Sequence, residues 1–310
     1  YIGCAGGMDT VGEMKYYPEE VPGGKSAFEI SITGLRGGHS GDEIHKGFGN
    51  SVKIMTRLLW NLAREFKISI SSFNGGNLRN AIPREAFATI VVDEALAAEV
   101  ITWISDFEKM VLDELGHIEK DLKISCRESV LPSSIMDRDS QDRLLASLNC
   151  CPHGPLAWSK EMDDLVETST NLASVKFTGS DTVKVVTTQR SSIDSAKKDA
   201  GAMVESCLKL AGAMVEHSQG YPGWRPNLSS EILKITLNSY RNLFGKDPQI
   251  RAIHAGLECG LIYEKVKGID MISFGPTIRG AHTPEEKIEV KTAQMFWDLM
   301  LEVLRNIPHN

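Results

Sequence analysis

The chain has 310 residues, 42% of them hydrophobic and 24% charged, with a formal net charge of −7 and a pI near 5.7. Basic and acidic residues are interspersed, which leaves no positive stripe for nucleic acid or an anionic membrane and points instead to a small molecule or peptide as partner. No apolar run approaches the roughly 20 residues of a membrane helix and no signal segment opens the chain; six cysteines without a CxxC pair fit reduced thiols and a cytoplasmic setting.

The opening "YIGCAGG" is apolar, strand-like and lacks an initiator methionine, the pattern expected of a chain whose amino terminus lies elsewhere. Residues 26–33, "SAFEISIT", alternate Phe28, Ile30 and Ile32 with Glu29, Ser31 and Thr33, the period of a half-buried strand. The glycine-rich stretch "GLRGGHSGDEIHKGFGN" follows at 34–50. Val52, Met55, Leu59, Leu62 and Phe66 then recur at helical spacing, predicting a helix over 50–66 capped near Asn50 or Ser51. Two strands, "KISISSF" and "EAFATIVV", are joined by "NGGNLRNAIPR"; a helix over about 94–115 and the strand "LKISC" complete a β-α-β-β-α-β order, that of a ferredoxin-like α+β sandwich.

A second, looser copy is expected next. It comprises a helix over 140–149, a hairpin turning at Gly179 to Asp181, and a long helix from Ile193 to Gly212. The segment "QGYPGWRPN" at 219–227 marks a boundary. Beyond it, helix 229–244, strand 249–254, helix 256–265, strand 270–276 and helix 290–306 read as a βαβ unit of a parallel α/β sheet, too few strands to cover both faces. The chain thus divides into 1–23, 24–220 and 221–310.

Chemistry is expected beyond the carboxyl ends of the tail's strands. His254 closes one of them, and Gly256 in "HAGLECG" lets backbone approach a ligand carboxylate at a helix start, where Glu258 and Cys259 are weaker candidates. His282, in "GPTIRGAHTPEE", is either a metal ligand or a solvated loop residue. His39 is either an imidazole carried into a site by a loop in which Gly37, Gly38 and Gly41 take positive φ, or incidental to a turn. "NGGNLRNAIPR" reads as a hairpin with Asn80 capping its loop, and Arg190 either clamps a carboxylate bidentately or is an ordinary surface arginine. Asp9 in "GGMDTVGE" reads as a turn residue, and the run "EMDD" at 161–164 as a solvated acidic loop.

Together, "GLRGGHSGDEIHKGFGN", "FNGGNLRNAIPREAFATI", "IHAGLECG" and "SFGPTIRGAHTPEE" closely resemble the aminoacyl-histidine dipeptidases, of the di-zinc metallopeptidase family that includes carnosinase, aminoacylase and carboxypeptidase G. The resemblance implies an α/β catalytic domain holding two zinc ions, or manganese or cobalt, and an inserted lid domain that meets a dipeptide substrate and forms a homodimer. It makes 1–23 the end of the first catalytic part, 24–220 a lid of ferredoxin-like units, and 221–310 the carboxy-terminal half of the catalytic domain. It also implies that His282 ligates zinc, that His39 is a catalytic lid histidine, and that Asn80, Arg190 and Gly256 hold the substrate. The family's remaining metal ligands and general-base glutamate have no counterpart in these 310 residues, so the resemblance implies a fragment inactive by itself. The alternative is a lid-type module serving only dimerisation or peptide binding.

Overall fold

Alternating strands and amphipathic helices assemble, in a computed structural model describing residues 1–280 and 285–308, around one nine-stranded antiparallel sheet. Strand β1 spans Gly6–Lys15 and β2 spans Lys25–Thr33; β2 turns Phe28, Ile30 and Ile32 fully into the core, as its alternation requires. Helix α1, Ser51–Glu65, is capped by the Asn50 side chain, which accepts hydrogen bonds from the backbone of Val52 and Lys53 at 2.9 and 3.1 Å. Its buried stripe of Val52, Met55, Leu58, Leu59 and Leu62 packs on the sheet, each side chain worth about 1.5–3 kcal/mol of burial.

After α1 come β3 (Ser69–Gly75), β4 (Ala86–Asp93), α2 (Ala97–Leu115) and β5 (Lys123–Ser129). In the sheet they run β5-β2-β4-β3, so the fourth strand of the unit lies beside the first, then the third and the second. The chain continues through α3 (Arg138–Cys150), β6 (Gly154–Trp158), β7 (Val166–Thr178), β8 (Thr182–Ser191), α4 (Asp194–Leu210) and β9 (Met214–His217). Here the order is β9-β1-β8-β7, the same arrangement with β1 as its first strand. The unit of residues 25–129 is therefore inserted behind the first strand of the second, and the two share a sheet where β3 meets β7 at Gly75 and Val175. The sheet crosses the division drawn at residues 23 and 24, because β1 pairs with β8 along its whole length.

Lys53 ties the two helical layers together. Its ammonium donates to the carbonyls of Leu148, Asn149 and Cys151 at 2.8–3.0 Å, closing the carboxyl end of α3, where a cation also complements the helix dipole.

The tail holds α5 (Glu231–Phe244), α6 (Glu258–Lys265) and α7 (Val290–Asn306). The strands expected at 249–254 and 270–276 are not formed. Residues 1–5 run beside 251–255 through a single parallel bridge at Cys4 and Ile253, and Tyr1 exchanges backbone bonds with Ser273. One extended segment supplies too few ladder partners for a parallel strand to propagate. Leu261, Ile262, Val266, Val290, Trp297 and Leu304 stay exposed on this part of the chain.

Candidate functional site

Most strands of the sheet bury apolar residues, but one end of β1, β7 and β8 buries Thr10, Thr170, Asn171, Thr187, Gln189 and Arg190. Such groups persist in a core only when hydrogen-bonded. Gln189 illustrates the satisfaction: its amide donates to Thr187 and Thr170 and its carbonyl accepts from Thr10 at 2.7 Å. Asn171 and Thr188 reach out of the sheet to the carbonyls of Ala81 and Arg79, both at 2.8 Å, and so pin the 79–81 segment over this polar end.

A cleft of about 630 Å³ opens there, lined by Asp9, Arg79, Asn80, Thr188, Arg190 and Tyr221 among others. Arg190 is 5% exposed, and among the described residues no carboxylate pairs with it. One guanidinium arm, Nη1, donates to the Tyr221 hydroxyl at 2.8 Å, while Nε has no partner among the described residues. Tyr221 is fixed by two backbone bonds with Gly7, and Lys197 on α4 donates to its carbonyl at 2.7 Å. At Gly256 a Cβ would come within 2.8 Å of the Tyr221 ring, so that position packs an aromatic face directly on backbone. Asp9 sits in β1 rather than in a turn, competes with the Arg79 carbonyl for the single Thr188 hydroxyl hydrogen, and pairs with the exposed Arg79 at 3.0 Å.

The glycine-rich loop closes the cleft from the other side. Glu119, fully buried, accepts from the backbone of Arg36 at 2.7 Å and of Gly49 at 2.8 Å, clamping both ends of the loop with one carboxylate. Gly38–His39 pairs with Ala81–Ile82 as a short ribbon, and the Ser40 amide donates to the Asn80 carbonyl at 2.9 Å. His39 is thereby held beside Asn80. Its Nδ1 accepts from the amides of Gly41 and Asp42, which assigns the ring hydrogen of the neutral form to Nε2. Glu43 accepts from the His39 amide, and Lys46 and that amide together lower its carboxyl below the usual range. Gly41 serves close approach rather than positive φ: a Cβ there would lie 2.2 Å from the His254 carbonyl and 3.1 Å from Arg190.

His254 completes the floor. It is 5% exposed, its Nε2 lies 2.7 Å from the Ser169 hydroxyl, and burial, with Arg190 beside it, pushes its pKa down to about 3. The ring is neutral at physiological pH.

Comparison with known proteins places this arrangement. The peptidase dimerisation domain matches residues 24–119, the first ferredoxin-like unit with its glycine-rich loop. The cytosol non-specific dipeptidase of Escherichia coli is 39% identical over 308 residues, which cover 99% of this chain and 63% of that protein. The aminoacylhistidine dipeptidase of Vibrio alginolyticus superposes with a TM-score of 0.94 at 39% identity, over 100% of this chain and 63% of that one. The chain is a relative of the aminoacyl-histidine dipeptidases. It spans 63% of the length of both proteins.

In this relative of the dipeptidases, four of the five residues singled out from sequence meet in one neighbourhood: His39 and Asn80 through the ribbon, Arg190 in the cleft, Gly256 against Tyr221. His282 lies outside the described residues. Among the described residues no trio of His, Cys, Asp or Glu is arranged to hold a metal, so these residues alone do not make a di-zinc centre. Glu258 stands in the first turn of α6, and the acidic residues Glu161, Asp163 and Asp164 are exposed, with Glu161 paired to Arg225. Among the described residues no helix is long and apolar enough to cross a membrane.

Sequence reading missed Asp9, Tyr221, Lys197 and Glu119. The polar strand "TSTN" facing "TTQRS" marked only the polar end of the sheet around Arg190, since strands buried on both faces are normally apolar.

Proposed function

We propose that the protein hydrolyses dipeptides, Xaa-His or carnosine-like, and that this chain supplies the part of the site that reads the substrate's free carboxylate. One observation carries the reading: a buried guanidinium, Arg190, opens on a cleft and has no carboxylate partner among the described residues. Desolvating a cation without an anion costs several kcal/mol, and a ligand carboxylate removes that cost. Asn80 offers its side-chain amide at the cleft wall and Gly256 the backbone near Tyr221, a combination that counts off a short peptide from its carboxyl end.

His39 contributes an Nε2–H donor. An N–H donor oriented by its own loop's amides suits the oxygen that becomes negative when the peptide carbonyl is attacked. Zinc would supply the activated water, with His282 as one ligand and ligands beyond those described here, and residues 221–310 belonging to the domain that binds it. Residues 24–220 act as lid, their sheet completed by β1, and the 24–119 region joins two copies, in the cytoplasm. A peptide-binding module without chemistry shares the Arg190 cleft but gives His39 no task.

His39→Ala distinguishes the two. In the full-length enzyme with zinc bound, its kcat on L-alanyl-L-histidine should fall about a hundredfold, the scale of one lost oxyanion donor, with KM and bound zinc nearly unchanged. Unaltered kcat removes the imidazole from the reaction.

A further inference from the structure

Resting on the dipeptide reading, we infer that Tyr221 is a second residue binding the substrate's terminal carboxylate, acting as a hydroxyl donor set by Arg190. The phenolic oxygen accepts from Arg190 Nη1 at 2.8 Å, so its own hydrogen points elsewhere. Among the described residues nothing accepts that hydrogen, and the side chain lines the same cleft as Arg190 and Asn80. A hydroxyl that accepts from a cation is polarised into a stronger donor, and an anion in the cleft is the complementary acceptor.

The placement of Tyr221 is over-determined for a surface aromatic. A Cβ at Gly7 would lie 2.6 Å from its Cζ and Oη, and one at Gly256 2.8 Å from its ring, so two backbone segments from distant parts of the sequence wedge the ring. Backbone bonds to Gly7 and the Lys197 ammonium fix the peptide unit on which the ring is carried. A hydroxyl held so rigidly loses little entropy when a ligand arrives, which is what a specificity group requires.

The test is calorimetric binding of two probes to the full chain and to Tyr221→Phe, which keeps the wedged ring and deletes only the hydroxyl. One probe is an L-alanyl-L-histidine analogue with its peptide bond replaced by a methyleneamine; the other is the same molecule with its carboxylate made a primary amide. The wild-type chain should prefer the acid by about tenfold or more, and Tyr221→Phe should weaken the acid about tenfold while changing the amide less than about twofold, the scale of one hydrogen bond to a charged group. A wild-type preference for the acid that Tyr221→Phe leaves intact, or equal losses for both probes, overturns the role of Tyr221 alone. No preference in the wild type overturns the carboxylate reading itself.

Discussion

Arg190→Leu is expected to weaken dipeptide binding by roughly three orders of magnitude and to leave the fold as stable as before or more so. The two effects have one cause. Arg190 is buried at the end of β8 with one arm on Tyr221, an unpaired Nε and no carboxylate partner among the described residues. In the empty cleft its charge is poorly compensated, and an apolar side chain of similar length removes that penalty. With a carboxylate bound, the same guanidinium makes charge-assisted bonds, and deleting one side of such a buried pair costs about 2–5 kcal/mol, of which 4 kcal/mol corresponds to about a thousandfold. Calorimetry with a non-cleavable dipeptide and thermal unfolding check the pair of signs together. Loss of stability with binding intact would make Arg190 a structural residue.

Acid is expected to destabilise the protein well above the pH at which carboxylates titrate. His254 is pushed down to about 3, by burial and then by Arg190, and His153 to about 4, by burial and then by Lys53. Both values lie below the 6.5 of an exposed imidazole, so the unfolded chain binds two protons that the folded one refuses. The stability that these rings confer is complete above pH 6.5 and is lost as the pH falls towards 4 and then 3. Each contributes a slope of about 1.4 kcal/mol per pH unit in that window. Urea unfolding between pH 7.5 and 5, where few carboxylates contribute, should show midpoints level down to about pH 6.5 and falling steadily below it, and His254→Asn should halve that slope. A flat profile would mean that neither ring is buried neutral. The loss also concerns the site, since an imidazolium at 254 would face the Arg190 guanidinium.

Local structure was legible wherever one face of an element is buried and the other is wet. The alternation around Phe28, Ile30 and Ile32 and the stripe from Val52 to Leu62 identify β2 and α1 to within a residue or two, and Asn50 caps the helix as its side chain suggests. The hairpin at Gly179 and the helix α4 follow the same logic. What pattern cannot show is which strands become neighbours. β1 completes the second unit from more than a hundred residues upstream of β7, and its pairing is set by the sheet rather than by its own sequence. The tail's two expected strands failed for a related reason, since an apolar run specifies a strand only if a partner lies alongside.

The site divides in the same way. His39, Asn80, Arg190 and Gly256 stand in short glycine-, asparagine- or arginine-bearing motifs and were visible for that reason. Asp9, Glu119, Lys197 and Tyr221 act through contacts made across 24 to 179 positions of sequence, and nothing near them marks the role. Glu119, four residues past the end of α2, would pass for an exposed loop charge, yet it holds both ends of the loop that carries His39.

The central claim is that the glycine-rich loop, the 79–81 segment and the end of β8 form one cleft that takes a peptide by its carboxyl end. A crystal structure of the protein with the methyleneamine dipeptide analogue measures this directly. The account predicts the analogue's carboxylate within about 3 Å of the Arg190 guanidinium, between Tyr221 and Asn80. Density for the analogue elsewhere, for example in the apolar cavity beside Tyr240 and Phe296, with Arg190 still bonded to Tyr221 alone, would contradict it.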